Sequence, residues 1–396
     1  MKILSVNAGS SSLKFKMFEM PSEEVIIEGR FERIKDPDNS FYSVKTKEDK
    51  YTKDARLESH MDAVEILIQE LFDNKVIDSL DDLSAVSHRL VHGGDKYPNS
   101  IIIDDEALEV IESFKDLAPL HVPANVMCVK AFMEKAPNAV EVGCFDTAFH
   151  QTIDKERYIY AVPYEWYEKY KVRKYGFHGQ SHKFIAETIA EKLGKEEVNA
   201  IICHIGQGAS ISAVEKGKCI DTSMGFTPNS GVIMGTRSGD IDYGIIKYMM
   251  KEAGMTFDEV DKALNKESGL LGLSKVSNDW RDVDAAITEG NKQAYLAHRI
   301  FVNSIVDYVA RYYVELKGQV DALVFTAGLG ENAHHIRRMV IDRLSCLGFE
   351  CDRELNDDTR FGKEGIISTK NSKIPVYVIG TNEELMMARD ALDLIK

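Results

Sequence analysis

The sequence predicts an α/β fold containing an internal duplication, and three observations carry that expectation. Strand-like apolar runs alternate with helical ones along the chain. A strand–turn–strand pattern over residues 2–17 recurs over residues 200–214. Several apolar runs end in charge, which is where open α/β sheets place their ligands.

Strands are expected over 2–6, 12–18, 24–33, 85–91, 140–146, 200–205, 209–214, 322–327 and 375–380, from their short apolar runs bounded by turn residues. Helices are expected over 61–74, 105–115, 123–135, 181–193, 240–253, 257–266, 290–316, 332–347 and 382–394, from apolar positions recurring at helical spacing. Segments 35–51 and 54–62 are polar and weakly patterned, and read as loops or edge strands.

The repeated pattern has chemical content. The first copy turns at Asn7-Ala8-Gly9-Ser10-Ser11-Ser12 and the second at His204-Ile205-Gly206-Gln207-Gly208-Ala209-Ser210. Tight turns of Gly and small polar residues expose backbone N–H groups and hydroxyls that can wrap phosphate oxygens. Taken singly, each is an ordinary hairpin turn. Two copies point to a duplicated domain with a nucleotide between the halves.

With 396 residues the chain has room for about two to three domains. A net charge of -15 disfavours nucleic acid and anionic membrane as partners, so anionic substrates must be met by locally placed Arg and Lys. The N-terminus lacks the apolar stretch of a signal peptide, and no window of about 18 apolar residues suggests a membrane span. Six Cys without a C-x-x-C pair fit reduced thiols. A cytoplasmic location follows as the expectation.

Arg237 lies in Met234-Gly235-Thr236-Arg237-Ser238-Gly239, where backbone can approach a ligand closely; the alternative is a solvated loop arginine. Arg89 and Asp146 stand at the ends of two expected strands, as a carboxylate binder with its orienter or as a structural ion pair. His178 and His182 have the i, i+4 spacing of a zinc pair, but Gly179 and the lack of a third nearby ligand argue against zinc. Ser181 as a helix cap, with His178 donating to a developing negative charge, is the preferred reading. Residues 328–333 match G-x-G-x-x-A, which raises a dinucleotide-binding dehydrogenase, but the match comes late in the chain and suits an adenosine contact better. Thr381 or Asn382 can cap the last helix, with Glu383 and Glu384 in its first turn. No P-loop motif, G-x-S-x-G elbow or H-E-x-x-H helix occurs.

Together these stretches resemble the acetate kinase family over essentially the full length. The resemblance rests on Val6-Asn7-Ala8-Gly9-Ser10-Ser11-Ser12-Leu13-Lys14, His88-Arg89-Leu90-Val91-His92-Gly93-Gly94 and Phe145-Asp146-Thr147-Ala148-Phe149-His150. It continues through Gly176-Phe177-His178-Gly179, Met224-Gly225-Phe226-Thr227-Pro228, Ser277-Asn278-Asp279-Trp280-Arg281-Asp282, residues 328–332 and Thr381-Asn382-Glu383-Glu384. It implies two duplicated actin-like (ribonuclease H-like) domains around a nucleotide cleft. The first would span 1–149 plus 384–396; the second, 150–383, would carry the nucleotide site and a homodimer interface.

The resemblance further implies transfer of the ATP γ-phosphoryl group to acetate, with propionate or butyrate as the nearest alternative acceptors. An actin-like or chaperone ATPase without a carboxylate substrate is the rival from another class. Asn7 and Glu383 would hold Mg²⁺, with Mn²⁺ as a substitute. Ser10, Ser12 and Lys14 would line the phosphate path, and Arg89 and Arg237 would hold the acetyl phosphate end. His178 with Arg237 would stabilise the transferring group, and Asp146 would be the acidic active-site residue. His204, Ile205, Gly206, Gln207, Gly208, Asp279, Trp280, Arg281, Gly328, Leu329, Gly330, Glu331 and Asn332 would contact ATP or ADP. Val91, Leu120, Phe177 and Pro228 would form the apolar pocket for the acetate methyl. Three positions depart from the family pattern: Gln207 for Asn, Gln180 for Thr and Val122 for Asn.

Overall fold

The first hairpin forms as its alternation dictates. β1 (Lys2–Ala8) pairs antiparallel with β2 (Ser12–Glu19), with Asn7 opposite Lys14 and Ala8 opposite Leu13. Gly9 N–H closes the turn on the Ser12 carbonyl at 2.8 Å. β3 (Glu24–Glu32), β4 (Phe41–Thr46) and β5 (Lys50–Asp54) extend this sheet antiparallel, so the weakly patterned segment ends as edge strands. On the other side β1 runs parallel to β6 (Leu83–Leu90). The short β7 (Ile101–Ile102) pairs antiparallel with β8 (Val140–Phe145), which runs parallel to β6.

The structure, a computed structural model, describes residues 1–116, 118 and 121–396. The chain divides into two units, Met1–Phe149 with Asn382–Lys396, and His150–Thr381. In the first, the sheet order among the described residues is β5-β4-β3-β2-β1-β6-β8-β7. Alternation along β1 separates its two faces. Leu4, Val6 and Ala8 enter a core with Leu67, Leu71, Cys128 and Phe132 of helices His60–Asp73 and Val122–Lys135. On the opposite face Ser5 donates to the Glu384 carbonyl at 2.7 Å, at the start of helix Glu383–Ile395. Asn382 caps that helix by accepting from the Leu385 N–H, as expected of this position.

The second unit repeats the plan. β9 (Ala200–Ile205) pairs antiparallel with β10 (Ala209–Glu215), which pairs with β11 (Lys218–Thr222). β12 (Ala322–Thr326) joins β9 in parallel. The short β13 (Gly365–Ile366) pairs antiparallel with β14 (Val376–Val378), which runs parallel to β12. Among the described residues the order is β11-β10-β9-β12-β14-β13. Thus β3-β2-β1-β6-β8 and β11-β10-β9-β12-β14 have the same order and the same directions. Every residue of β9 and β12 is buried, the pattern of a central strand covered on both faces.

Three expected boundaries change. Ser181 is not a cap: helix Gly179–Leu193 begins earlier, with His178 at its N-cap in the left-handed region (φ 59°). Residues 240–243 stay outside helix Gly244–Glu252, because the Asp242 carboxylate accepts the Gly244 N–H at 2.7 Å. The glycine-containing loop expected at 328–332 is itself wound into helix Ala327–Asn332 directly after β12.

Candidate active site

In the first unit the parallel strands β6 and β8 bring Arg89 and Asp146 together. Arg89 Nε and Nη2 donate to the two carboxylate oxygens of Asp146 at 2.9 and 2.7 Å, a bidentate pair. Its Nη1 donates to Asn7 Oδ1 at 3.2 Å, and Glu383 lies 4.0 Å from its Nε. Burial disfavours the guanidinium charge, but Asp146 and Glu383 outweigh this and hold Arg89 above its ordinary value. For Glu383 the balance is reversed. Burial raises its pKa, Arg89 lowers it, and Asp146 and Glu384 raise it again, leaving the carboxylate above its usual range.

Among the described residues no cluster of three or more His, Cys, Asp or Glu could hold a metal ion, so a divalent cation would have to use fewer protein ligands in that corner. Mg²⁺ typically takes one or two protein oxygens and completes its shell with phosphate and water. Glu383 and the Asn7 amide oxygen, which here accepts from Arg89 Nη1 at 3.2 Å, are oxygens of that kind.

The first turn is supported from below by residues the motif reading did not single out. Buried His60 contacts the Gly9 carbonyl through Nε2 at 2.7 Å. Asn125 Nδ2 donates to the Ala8 carbonyl at 2.9 Å, while the Val91 N–H reaches its Oδ1 at 3.4 Å. Ser10 and Lys14 are exposed and Ser12 is half-buried. The one available signal was Asn125, a polar residue on the apolar face of an expected helix.

In the second unit the turn after β9 is the focus. A Cβ at Gly208 would lie 3.3 Å from His178 Nε2 and 3.6 Å from Arg237 Nη1, so both side chains meet the turn where a side chain is missing. Arg237 is half-buried; its Nη1 donates to the Pro228 carbonyl at 3.0 Å and lies 3.6 Å from Met234 Sδ. Among the described residues no carboxylate pairs with it, and burial alone lowers its pKa. His178 Nδ1 contacts Ser210 Oγ at 2.9 Å, and its ring stacks on His204 with centroids 4.2 Å apart.

Gln207 is exposed, and its side chain reaches the Asn278 carbonyl at 3.5 Å. Asp279 caps helix Trp280–Thr288 and is gripped by the exposed Arg281. Trp280 turns into the core, donating to His335 Nε2 at 2.8 Å. Behind 328–332, fully buried Arg337 donates to the carbonyls of Gly330 and Glu331 at 2.9 and 2.6 Å, fixing that segment. Asp221, in another polar run, is absorbed by ion pairs to Lys174 and Arg311.

The expected site residues therefore form two sets. Asn7, Ser10, Ser12, Lys14, Arg89, Val91, Asp146 and Glu383 belong to the first unit. Phe177, His178, residues 204–208, Pro228, Arg237, residues 279–281 and residues 328–332 belong to the second. Leu120 lies outside the described residues.

A model of the acetokinase family matches residues 2–389. The chain belongs to the acetokinase family. Acetate kinase of Geobacillus sp. (strain WCH70) is 49% identical over 395 residues, covering 99% of this chain and 98% of the relative. The crystal structure of Porphyromonas gingivalis acetate kinase superposes with a TM-score of 0.93 at 41% identity, covering 100% of both chains. A propionate kinase from Francisella tularensis subsp. tularensis SCHU S4 gives the same TM-score and identity, with 98% of each chain covered. With family membership, the twice-used strand order identifies the fold as α/β with two duplicated actin-like domains. No helix among the described residues is long and apolar enough to cross a membrane.

Proposed function

We propose that the chain has acetate kinase activity, moving the γ-phosphoryl group of ATP reversibly onto acetate to give acetyl phosphate and ADP by direct in-line displacement. The observation that carries this reading is Arg237, a half-buried guanidinium without a carboxylate partner among the described residues, meeting the turn at Gly208 together with His178. Such a cation is satisfied by an anion, and a phosphoryl group in transfer spreads its charge over three oxygens.

A carboxylate is already nucleophilic, so the reaction asks for alignment and charge neutralisation more than for a strong base. In this reading Arg89 binds the carboxylate end of the acceptor, and Asp146 orients Arg89 without taking a proton. Val91, Leu120, Phe177 and Pro228 receive the methyl group. Ser10, Ser12 and Lys14 line the phosphate path, and residues 204–208, 279–281 and 328–332 hold the nucleotide. Asn7 and Glu383 hold Mg²⁺, or Mn²⁺ in its place, which when bound neutralises phosphate charge.

The active form is proposed to be a cytoplasmic homodimer. Helix Gly244–Glu252 buries none of its own residues, and Tyr243, Tyr248 and Phe257 are 86%, 63% and 59% exposed. An apolar face of that kind is suited to a second copy of the chain.

A hydroxamate assay with ATP, Mg²⁺ and a panel of acetate, propionate and butyrate tests the activity. Carboxylate-dependent acyl phosphate, with acetate giving the highest kcat/KM, is expected. ATP hydrolysis indifferent to carboxylate would overturn the proposal. Propionate is the second reading, because the propionate kinase matches this chain as well as the Porphyromonas enzyme does. One methylene in an apolar pocket is worth only ~1–3 kcal/mol of discrimination.

A further inference from the structure

Behind His178 lies a buried chain of hydrogen bonds that the proposed chemistry does not itself use. Ser212 Oγ is 2.7 Å from His182 Nδ1, and His182 Nε2 is 2.7 Å from Ser210 Oγ. Ser210 Oγ in turn is 2.9 Å from His178 Nδ1. His182, Ser210 and Ser212 are all fully buried. Local geometry explains the alignment. His178 and His182 sit one helical turn apart at the start of helix Gly179–Leu193, and Ser210 and Ser212 share one face of β10.

Resting on the reading of His178 as a donor to the transferring group, we propose that Ser212 and His182 are positioning residues. They fix His178 as the tautomer that carries its proton on Nε2, the nitrogen that meets the turn at Gly208.

Each serine hydroxyl has one hydrogen to donate, and a neutral imidazole has one N–H and one acceptor nitrogen. Among the described residues His182 Nδ1 is the one partner of the Ser212 hydroxyl. If Ser212 donates to Nδ1, His182 carries its proton on Nε2 and donates to Ser210. Ser210 then donates to His178 Nδ1, which leaves the His178 proton on Nε2. Every hydroxyl hydrogen in this chain has an acceptor.

The reverse direction starts with His178 Nδ1–H donating to Ser210, then Ser210 to His182 and His182 to Ser212. It ends with the buried Ser212 hydroxyl hydrogen facing no acceptor, which native interiors avoid. A protonated His178 would likewise donate through Nδ1, and would leave the hydroxyl hydrogen of either Ser212 or Ser210 without an acceptor in this chain of contacts. A protonated His182 is opposed by its burial and then by the neighbouring His150 and His204 rings, which hold it well below the ordinary histidine value. The favoured direction gives a neutral His178 with a fixed N–H donor, preorganised where negative charge would develop.

Nitrogen-15 spectra of full-length enzyme labelled at histidine read this directly, with resonances assigned by the loss of signals in His178→Gln and His182→Gln. In the wild type, an unprotonated Nδ1 and a protonated Nε2 on His178 are expected. A protonated Nδ1 would overturn the proposal, whether or not any acyl phosphate is made, so the tautomer and the activity fail separately. Ser212→Ala should mix the His178 tautomers and lower kcat by about 10-fold or more while both KM values stay within about threefold. Ser212→Thr, which keeps the hydroxyl, should restore the nitrogen-15 pattern and most of kcat. Wild-type kcat together with an unchanged pattern in Ser212→Ala would also overturn it.

Discussion

Arg89 and Arg237 are the two arginines proposed to hold the acyl phosphate, and their surroundings differ in kind. Arg89 is clamped by both oxygens of Asp146, touches Asn7 and has Glu383 nearby, so its charge is compensated without any ligand. Arg237 touches a carbonyl and a thioether sulfur, and burial weakens its hold on its proton. One guanidinium is pre-oriented at the expense of being already paired; the other is left uncompensated. An interaction that strengthens only in the transition state raises kcat, whereas one present throughout serves binding. Arg237 is therefore the better candidate for the transition state, and Arg89 for holding the acceptor.

The largest expected effect comes from removing the uncompensated member. Arg237→Ala should lower kcat by on the order of 10³-fold with a far smaller change in the KM for ATP. It should not lower the melting temperature, because the deleted charge is half-buried and has no carboxylate partner among the described residues. Steady-state kinetics and a thermal melt check both parts. Near-normal turnover would sink the assignment.

Arg89→Ala should behave in the opposite way in the melt. It leaves the buried Asp146 carboxylate beside Glu383 with its bidentate partner gone. Removing one member of a buried pair costs about 3–5 kcal/mol, and the partial exposure of Arg89 places this case at the low end. Urea unfolding of the two variants side by side would show the contrast. Equal loss of stability in both would mean that the two arginines are not differently compensated.

Much of this was legible in the sequence because it is local. The two hairpins, the strands carrying Arg89 and Asp146, and the Asn382 cap all follow from alternation and turn chemistry within a dozen residues. What was missed depends on partners far away in the chain. Ser181 looks like a cap next to Phe177-His178-Gly179, yet its hydroxyl meets His204 Nδ1 at 2.8 Å and Thr381 Oγ1 at 2.7 Å. The spacing of His182 to His178 suggests a zinc pair because it is visible in the sequence, while the two serine partners of His182 on β10 are not. His60 under Gly9 and Arg337 behind residues 328–332 are likewise set by packing, which no short window of sequence encodes.

The smallest effect concerns Gln207, where the resemblance leads to an expectation of Asn. Its side chain lies over Gly235, where a Cβ would come within 2.4 Å of Gln207 Oε1, and its Nε2 reaches the Asn278 carbonyl at 3.5 Å. The extra methylene thus ties the turn beside Arg237 to the segment entering Asp279, and a glycine at 235 makes room for it. An Asn side chain is one methylene shorter and would reach less far toward the Asn278 carbonyl. The contact is long and solvent-exposed, so its loss is worth about 0.5–1 kcal/mol at most. Gln207→Asn should therefore change the KM for ATP by about two- to fivefold and leave kcat within about twofold, since neither Arg237 nor His178 is touched. A fall in kcat comparable to that of Arg237→Ala would mean that Gln207 acts on the transferring group itself. The contrast between a compensated and an uncompensated arginine would then be too simple, because the uncompensated one would depend on its neighbour in the turn.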